Sequence, residues 1–382
     1  MNKNIKIIYL AGFLFSISIA LTSYVNSSFL KIYLSESSVG ILYAIASIIT
    51  ILIMLEMPRI LNRIGNRNAI ILFSIFSFFS FLLLALTNNQ LIIIIAFIIY
   101  FLSSNFIFIS LDIFIENFSK SSSIGKFRGL YLTVISFAWV IAQAISGSII
   151  AKSSYKGIYL FGALFVFLFS FIFISFLHNF KDPKYKKISI LKTIKFFIAN
   201  KNISKIYLIN FTLKFFYVWM IIYTPIYLHE HLGFGWDKIG LIFTIMLLPF
   251  VFLSFPLGKL SDKIGEKKML IVGFIVATLF TLLIPFTKEA NFIVLAMILF
   301  GTRIGAATIE VMSESYFFKL ENEEHPDAIS FFRNTGPLSF VIAPLIATSI
   351  LLLTPNFSYL FFVLGAILLC GLLITLRLKD VK

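Results

Sequence analysis

Gly258-Lys259-Leu260-Ser261-Asp262-Lys263-Ile264-Gly265-Glu266-Lys267-Lys268 packs six charged residues into eleven and stands between two long apolar runs. Its chemistry fits a turn at a membrane surface. Glycine allows a tight backbone turn and close helix approach, and a carboxylate such as Asp262 can dock on the N-terminal end of a neighbouring helix. The flanking bases suit anionic headgroups.

The 382 residues around this stretch are 59% hydrophobic and only 13% charged, with a mean hydropathy of +0.99. A soluble globular domain carries roughly a quarter of its residues as charges, so that class is excluded and the bilayer is the solvent. The formal charge of +15 would suggest nucleic acid in a soluble protein. Here the bases cluster between apolar runs, which reads as topology signal and lipid contact, with no nucleic acid expected. One cysteine, Cys370, leaves no intrachain disulfide and no thiol metal cluster. No phosphate-binding G-x-x-x-x-G-K-[ST] loop is present.

Crossing the hydrocarbon takes about 20 mostly apolar residues in a helix. The chain supplies twelve such runs: Ile5–Phe29, Val39–Met57, Ala69–Leu86, Leu91–Phe118, Phe127–Ile150, Ile158–Leu177, Ile206–Leu228, Ile239–Leu257, Met269–Phe286, Phe292–Phe318, Phe332–Leu353 and Tyr359–Leu376. The first carries hydroxyls and Asn26 with no small-residue cleavage site after it, so it reads as a retained helix. Of the 32 Lys and Arg residues, 25 fall on the side that holds both termini. Both ends are therefore expected in the cytoplasm, in a multi-pass protein of the cytoplasmic membrane.

Sliding the chain by 200 residues lays Val39-Gly40-Ile41-Leu42 over Ile239-Gly240-Leu241-Ile242 and Arg63-Ile64-Gly65 over Lys263-Ile264-Gly265. A slide of 198 lays Asn105, Asp112 and Glu116 over Arg303, Glu310 and Glu314. The chain thus reads as a duplicated six-helix unit, with halves 1–178 and 206–382 joined by a basic linker, 179–205. In the linker Ile188, Leu191, Ile194 and Phe197 or Ile198 recur at helical spacing between Lys187, Lys192 and Lys195. Two readings stand: a basic amphipathic helix on the headgroups, or a solvated charged linker.

The opening stretch closely resembles the loop signature of the major facilitator superfamily, Gly-x-x-x-Asp-(Arg/Lys)-x-Gly-x-(Arg/Lys)-(Arg/Lys), carried there after spans two and eight. Gly258, Asp262, Lys263, Gly265, Lys267 and Lys268 fill it. The copy after span two is degraded: Pro58 replaces the first glycine and Asn62 the aspartate, while Arg63, Gly65 and Arg67 remain. The resemblance covers essentially the whole chain. It implies an all-α polytopic protein of twelve transmembrane helices in two pseudo-symmetric six-helix bundles. It also implies secondary active transport by alternating access, with protons as the default coupling ion. No cofactor and no metal are expected, a monomer is expected, and the lack of a His or Cys constellation at an interface speaks against an enzyme. Asp262 would act in a cytoplasmic latch near Arg128 and Gly129. A second signature, the Gly/Pro-rich stretch of span five in many proton-coupled exporters, is poorly matched by Ala142-Gln143-Ala144-Ile145-Ser146-Gly147.

An ionised side chain at mid-bilayer costs roughly 2.5 to 3.5 kcal/mol or more, so charges kept there face a cavity or a partner. Asp112, Glu116, Lys214, Arg303, Glu310 and Glu314 stand in the spans. Arg303, Glu310 and Glu314 share one face of span ten, as Asn105, Asp112 and Glu116 share one of span four. At about 1.5 Å per residue, Arg303 lies roughly 17 Å from the outer end of its span and Glu310 about 10 Å further in. Lys214 reaches a similar depth from span seven. The resemblance implies that spans one, four, seven and ten line the transport cavity. Lys214 and Glu310 are expected to pair, and Arg303 to offer positive charge to an anionic or carbonyl-bearing substrate or to a proton-coupling carboxylate; the alternative is an ion pair that merely holds helices. For Glu116 and Glu314 the helix-holding reading is preferred, with Arg128 and Arg333 as partners.

Span one adds Ser16, Ser23 and Ser27 with Asn26, and span seven adds Asn210, Tyr217 and Thr224. These suit either a solute's hydroxyls or interhelical hydrogen bonds. Trp139, Trp219 and Tyr223 fit substrate stacking, against a default of lipid-facing filler. His178, His229, His231 and His325 fall outside the spans, and His229-Glu230-His231 reads as outer loop rather than as a metal site. The expectation is a proton-coupled transporter of a small organic solute, leaning to efflux of hydrophobic compounds. Uptake of a sugar, nucleoside or organic anion is the alternative. From another class, a non-transporting membrane receptor or interaction protein of the same fold is the rival.

Overall fold

A computed structural model of the chain describes residues 3–118, 124–177, 182–183, 185, 195, 197–287, 291–320, 331–354 and 356–379, with 3–4, 116–118, 124–129, 132, 254–255 and 262 described in backbone only, Glu116, Arg128 and Asp262 among them. Among the described residues every regular element is helical: α1 (Lys3–Ser23), α2 (Asn26–Lys31), α3 (Glu36–Leu55), α4 (Met57–Ile64), α5 (Asn66–Leu86), α6 (Gln90–Phe118), α7 (Ile124–Phe176), α8 (Lys201–Ile226), α9 (Trp236–Phe252), α10 (Ser254–Ile264), α11 (Glu266–Leu283), α12 (Phe292–Leu320), α13 (Thr335–Leu353) and α14 (Tyr359–Leu376). Ten of the described helical stretches are long and apolar enough to cross a membrane. One of these contains spans five and six, because α7 runs through a single break at Ser154 (φ 60°). The eighth span is α9, just short of that length at 17 residues. The chain is an all-α polytopic membrane protein.

Four local features depart from the sequence reading. The first span is not one helix: it breaks at Tyr24–Val25 between α1 and α2. Just before the break Ser18, Thr22 and Ser23 hydroxyls bond back to carbonyls three and four residues earlier, a pattern that bends helices. The two signature stretches are helical rather than loops, α4 and α10, each ended by a glycine at positive φ: Gly65 at 77° and Gly265 at 91°. Those angles favour glycine, which has no Cβ to strain. Gly258, expected to permit close helix approach, has nothing among the described residues within 4 Å of where a Cβ would sit. Finally, His229 and His231 lie not in a loop but in a π-helical turn, Tyr227–His231, that prolongs α8.

The described chain groups into two compact units. Unit 1 comprises Met1–Leu34, Leu42–Lys187 and Gly235–Gly240; unit 2 comprises Ser35–Ile41, Ile188–Phe234 and Leu241–Lys382. In unit 1, α1 packs along α7 and α6, and α5 packs on α6 and α7. The seams are aromatic: Phe73 stacks on Phe106 at 3.8 Å, and Phe15 meets Phe108 and Phe169 at 5.0 Å. In unit 2, α11 packs on α12 and α14, and α8 on α12, α13 and α14. The α11–α12 crossing is made by small residues: a Cβ on Gly305 would lie within 3.0 Å of Ala277 N and Gly273 O.

Of the proposed amphipathic linker helix, most positions lie outside the described residues. Lys195 is exposed, while Phe197 is buried against Tyr207 and Phe331, 5.4 and 4.7 Å between ring centroids.

Candidate functional site

Unit 2 brings three of the mid-span polar residues together where α8 faces α12. Lys214 Nζ lies 2.7 Å from Glu310 Oε1, and the Tyr217 hydroxyl donates to Glu310 Oε2 at 3.1 Å. Lys214 and Tyr217 are one turn apart on α8, so one helix holds both oxygens of a carboxylate carried by the other. The ion-paired side chains keep 28% and 29% of their surface. The pair is therefore neither sealed in the core nor on an open surface. Glu314, one turn beyond Glu310 and exposed, adds to the negative field at Lys214.

Arg303 sits seven residues before Glu310 on α12 and is 1% exposed. Its guanidinium lies over the rings of Phe216 and Tyr217, at 5.2 and 5.4 Å from their centroids. Lys214 Nζ is also over the Tyr217 ring, at 5.2 Å, and Phe250 meets that ring edge-on at 6.0 Å. Two cations over one phenol offset part of the cost of a buried charge through the ring quadrupole.

Most of the other polar residues of the spans are held by the protein itself. Asn210, 3% exposed, donates to Thr335 Oγ1 at 2.8 Å and joins α8 to α13. In unit 1, Asn26 donates to the Tyr100 hydroxyl at 3.3 Å and accepts from the Tyr159 hydroxyl at 2.8 Å, and Thr22 and Tyr100 lie 3.0 Å apart. That network fastens the break between α1 and α2 to α6 and α7. Asn105 bonds to its own helix at Phe101 O, and the half-buried Asp112 bears electrostatically on Tyr131. Ser16 and Ser27 are fully buried, and their hydroxyls have no hydrogen-bond partner among the described residues. Trp219 and Tyr223, for which lipid-facing filler was the default, are fully buried in unit 2, Trp219 at 5.3 Å from Phe215 and 5.6 Å from Tyr223; they are core. Trp139 is half-buried, edge-on to Tyr24.

At the signature stretches, Lys263 and Lys268 are exposed and Lys267 is half-buried, as is Arg67; Arg63 is exposed. The latch of Asp262 with Arg128, and the pairing of Glu116 with Arg128, lie outside the described side chains. Arg333 and Glu314 are both exposed.

Two arrangements here escaped the sequence reading. Glu266, 2% exposed at the start of α11, pairs with Lys319 at 2.5 Å and accepts from Ser315 at 3.0 Å. Its counterpart 200 residues earlier, Asn66, is equally buried and donates to Ser110 O at 3.0 Å. In the degraded first copy a carboxylate from the linker stands at the start of α5: Asp182 Oδ1 accepts from the Asn66 N–H at 2.7 Å. Asn62 pairs with the Tyr185 backbone in both directions, at 2.8 and 3.2 Å. The repeat pointed to the first; nothing in composition pointed to the second. On α8, Phe216 was also missed as a partner of Arg303.

Among the described residues no three His, Cys, Asp or Glu side chains come together as a metal site. His229 Nδ1 lies 3.0 Å from Phe234 O, and His231 Nε2 lies 3.3 Å from Glu36.

The sequence matches the family model described as Major Facilitator Superfamily over residues 8–238 and again over 220–382. No curated protein matches it. Among solved structures, a crystal structure of a point mutant of the nucleoside transporter NupG superposes with a TM-score of 0.77, covering 98% of this chain and 99% of that one at 12% identity. At that identity the likeness concerns the fold.

Proposed function

The chain belongs to the major facilitator superfamily, and on that premise we propose that it moves a small polar organic solute across the cytoplasmic membrane by proton-linked alternating access, with both termini in the cytoplasm. The observation that carries this reading is the Lys214–Glu310 pair: 2.7 Å apart, mid-span, and still over a quarter exposed. An ion pair kept only to hold helices gains nothing from remaining accessible, and replacing a buried pair by apolar groups is often neutral or stabilising. An accessible pair beside a phenol presents a cation, an anion and a hydroxyl to a solute's hydroxyl and amide groups. Protonation of Glu310 would release Lys214, which links proton and solute.

This favours the alternative of polar-solute uptake, a sugar or nucleoside, over efflux of hydrophobic compounds. The transport role named for NupG, a nucleoside transporter, is in keeping with it. Arg303, being sealed, serves in this reading as a fixed charge behind the site rather than as a substrate ligand.

The test is flux in proteoliposomes of uridine, adenosine, glucose and ethidium, with and without an imposed pH gradient. Gradient-driven flux of uridine or glucose that Glu310→Gln uncouples is expected. Flux of ethidium alone would return the efflux reading, and no flux of any probe would favour a non-transporting receptor.

A further inference from the structure

We propose that Arg303 is a positioning residue that acts on Glu310 through Tyr217, its guanidinium over the ring fixing the phenol whose hydroxyl holds Glu310 Oε2. This deepens the transport reading above and rests on it for its role in turnover, though not for its geometry.

Four observations support it. Arg303 is 1% exposed, which takes it out of reach of a solute. Its guanidinium faces aromatic carbon on α8, the rings of Phe216 and Tyr217, at 5.2 and 5.4 Å. The Tyr217 hydroxyl reaches Glu310 Oε2 at 3.1 Å, and Oε1 is taken by Lys214 at 2.7 Å. Finally, Arg303 and Glu310 are seven residues apart on α12, about 10 Å along the axis, so the ring of Tyr217 fills the distance between cation and carboxylate.

The physics runs in one direction. A cation over a phenol withdraws electron density from the ring and makes its O–H a stronger donor, and a donor aimed at a carboxylate steadies the charged form. The groups in contact with Glu310 are Lys214 and Tyr217 from α8, with Glu314 one turn along its own helix and Arg303 behind the Tyr217 ring. Arg303 is the one among them that a solute does not meet. It keeps the carboxylate oriented while Lys214 is free to be exchanged between Glu310 and the solute. A fixed charge placed behind the ring, rather than beside the carboxylate, avoids competing with Lys214 for the same oxygens.

The experiment needs no substrate. Purified protein in nanodiscs is treated with limiting acetic anhydride, and acetylation of Lys214 is quantified by peptide mass spectrometry in wild type, Arg303→Lys, Arg303→Gln, Tyr217→Phe and the double variant Arg303→Gln/Tyr217→Phe. A loosened Glu310 leaves Lys214 less held and more reactive. Expected is a several-fold rise in Arg303→Gln, a similar rise in Tyr217→Phe, no further rise in the double variant, and near wild-type labelling in Arg303→Lys. Rescue by Lys but not by Gln assigns the effect to charge, which a space-filling role would not require. Additive rises in the double variant, or equal labelling of the Lys and Gln variants, would overturn the proposal. If Arg303→Gln fails to fold, Tyr217→Phe compared in wild-type and Arg303→Lys backgrounds decides it: loss of the Tyr217 effect is not expected in either, and its absence in both overturns the proposal. Absence of flux in the wild-type protein would defeat the transport reading and leave this labelling result intact.

Discussion

Asp182 accepts a 2.7 Å hydrogen bond from the backbone N–H of Asn66, the first residue of α5. The second carboxylate oxygen lies 2.7 Å from where a Cβ on Gly65 would be, so a side chain at Gly65 would displace it. The same Asp182 accepts from the Tyr185 hydroxyl at 2.7 Å, and Arg67 donates to the carbonyls of Leu177 and Ile174 at the end of α7. A helix N-terminus has N–H groups with no partner in the helix and a partial positive charge, and a carboxylate satisfies both. Burial, and then Asp182 beside it, push the Tyr185 phenol well above its ordinary range. It therefore stays a donor past pH 10, while its contribution to stability is complete below about pH 10 and fades as pH rises above that.

Asp182→Ala should cost about 1 kcal/mol, the usual price of losing a cap, and should free the start of the linker. Trypsin cleavage in the linker, followed on gels under native conditions, is expected to accelerate, with Tyr185→Phe showing a smaller increase. Cleavage at the wild-type rate in Asp182→Ala would mean that the contact does not hold the linker.

The Glu266–Lys319 pair is asymmetric, with 2% of the Glu266 side chain exposed and 40% of Lys319. Removing the lysine strands a buried carboxylate, a loss on the order of 3 kcal/mol where a buried pair is broken from one side. Lys319→Ala should therefore unfold in detergent at distinctly lower temperature than the double variant Glu266→Gln/Lys319→Ala, in which no charge is stranded. A double variant no better than the single would show that the lysine, not the stranded carboxylate, carries the effect.

Gly305 and Gly258 are predicted to respond oppositely to alanine. At Gly305 the new Cβ meets backbone of α11 at under 3.0 Å, and backbone cannot rotate away. Overpacking of this kind costs about 1 to 3 kcal/mol, and it would shift the helix that carries Arg303 and Glu310. At Gly258, inside α10, the described surroundings are open, so alanine should be neutral or gain a few tenths to about 1 kcal/mol of helix propensity. Thermal stability of the two purified variants measures both, and a harmless Gly305→Ala would refute the close crossing.

How much of this was legible follows from the kind of partner each residue has. Lys214 and Glu310 could be paired from the sequence because opposite charges at like depth in hydrocarbon have few other ways to be satisfied. Arg303 was visible as a buried charge, but its partners are rings, and in a chain with 17% aromatics no spacing singles out Phe216 and Tyr217. Asp182 was illegible because its partner is a backbone N–H, a group every residue but proline carries. The break at Tyr24 was missed for a similar reason: hydroxyls that bend a helix are written no differently from hydroxyls that line a pore.

The Gly40 and Gly240 repeat, which the 200-residue slide exposed, yields the last prediction. In unit 2 a Cβ on Gly40 would lie 2.5 Å from Thr348 Oγ1 and 2.7 Å from the Tyr223 hydroxyl, with Pro344 O at 3.1 Å. Thr348 also donates to Ser37 O at 3.1 Å. In unit 1 a Cβ on Gly240 would lie 2.9 and 3.0 Å from Gly147 N and Cα, and 3.1 Å from Gln143 O. The two sites are equivalent in the repeat but not in what surrounds them. The nearest neighbours of Gly40 are the ends of two side chains, of which Thr348 can turn its hydroxyl aside, whereas all three neighbours of Gly240 are backbone. Gly240→Ala should therefore lower thermal stability by about 1 to 3 kcal/mol, and Gly40→Ala by distinctly less. Gly40→Ala should instead loosen the Thr348 to Ser37 contact, read as faster amide exchange of the first turn of α3. Equal losses in the two variants would mean that the pseudo-symmetry extends to packing, and that the side chains around Gly40 are as immovable as the backbone around Gly240.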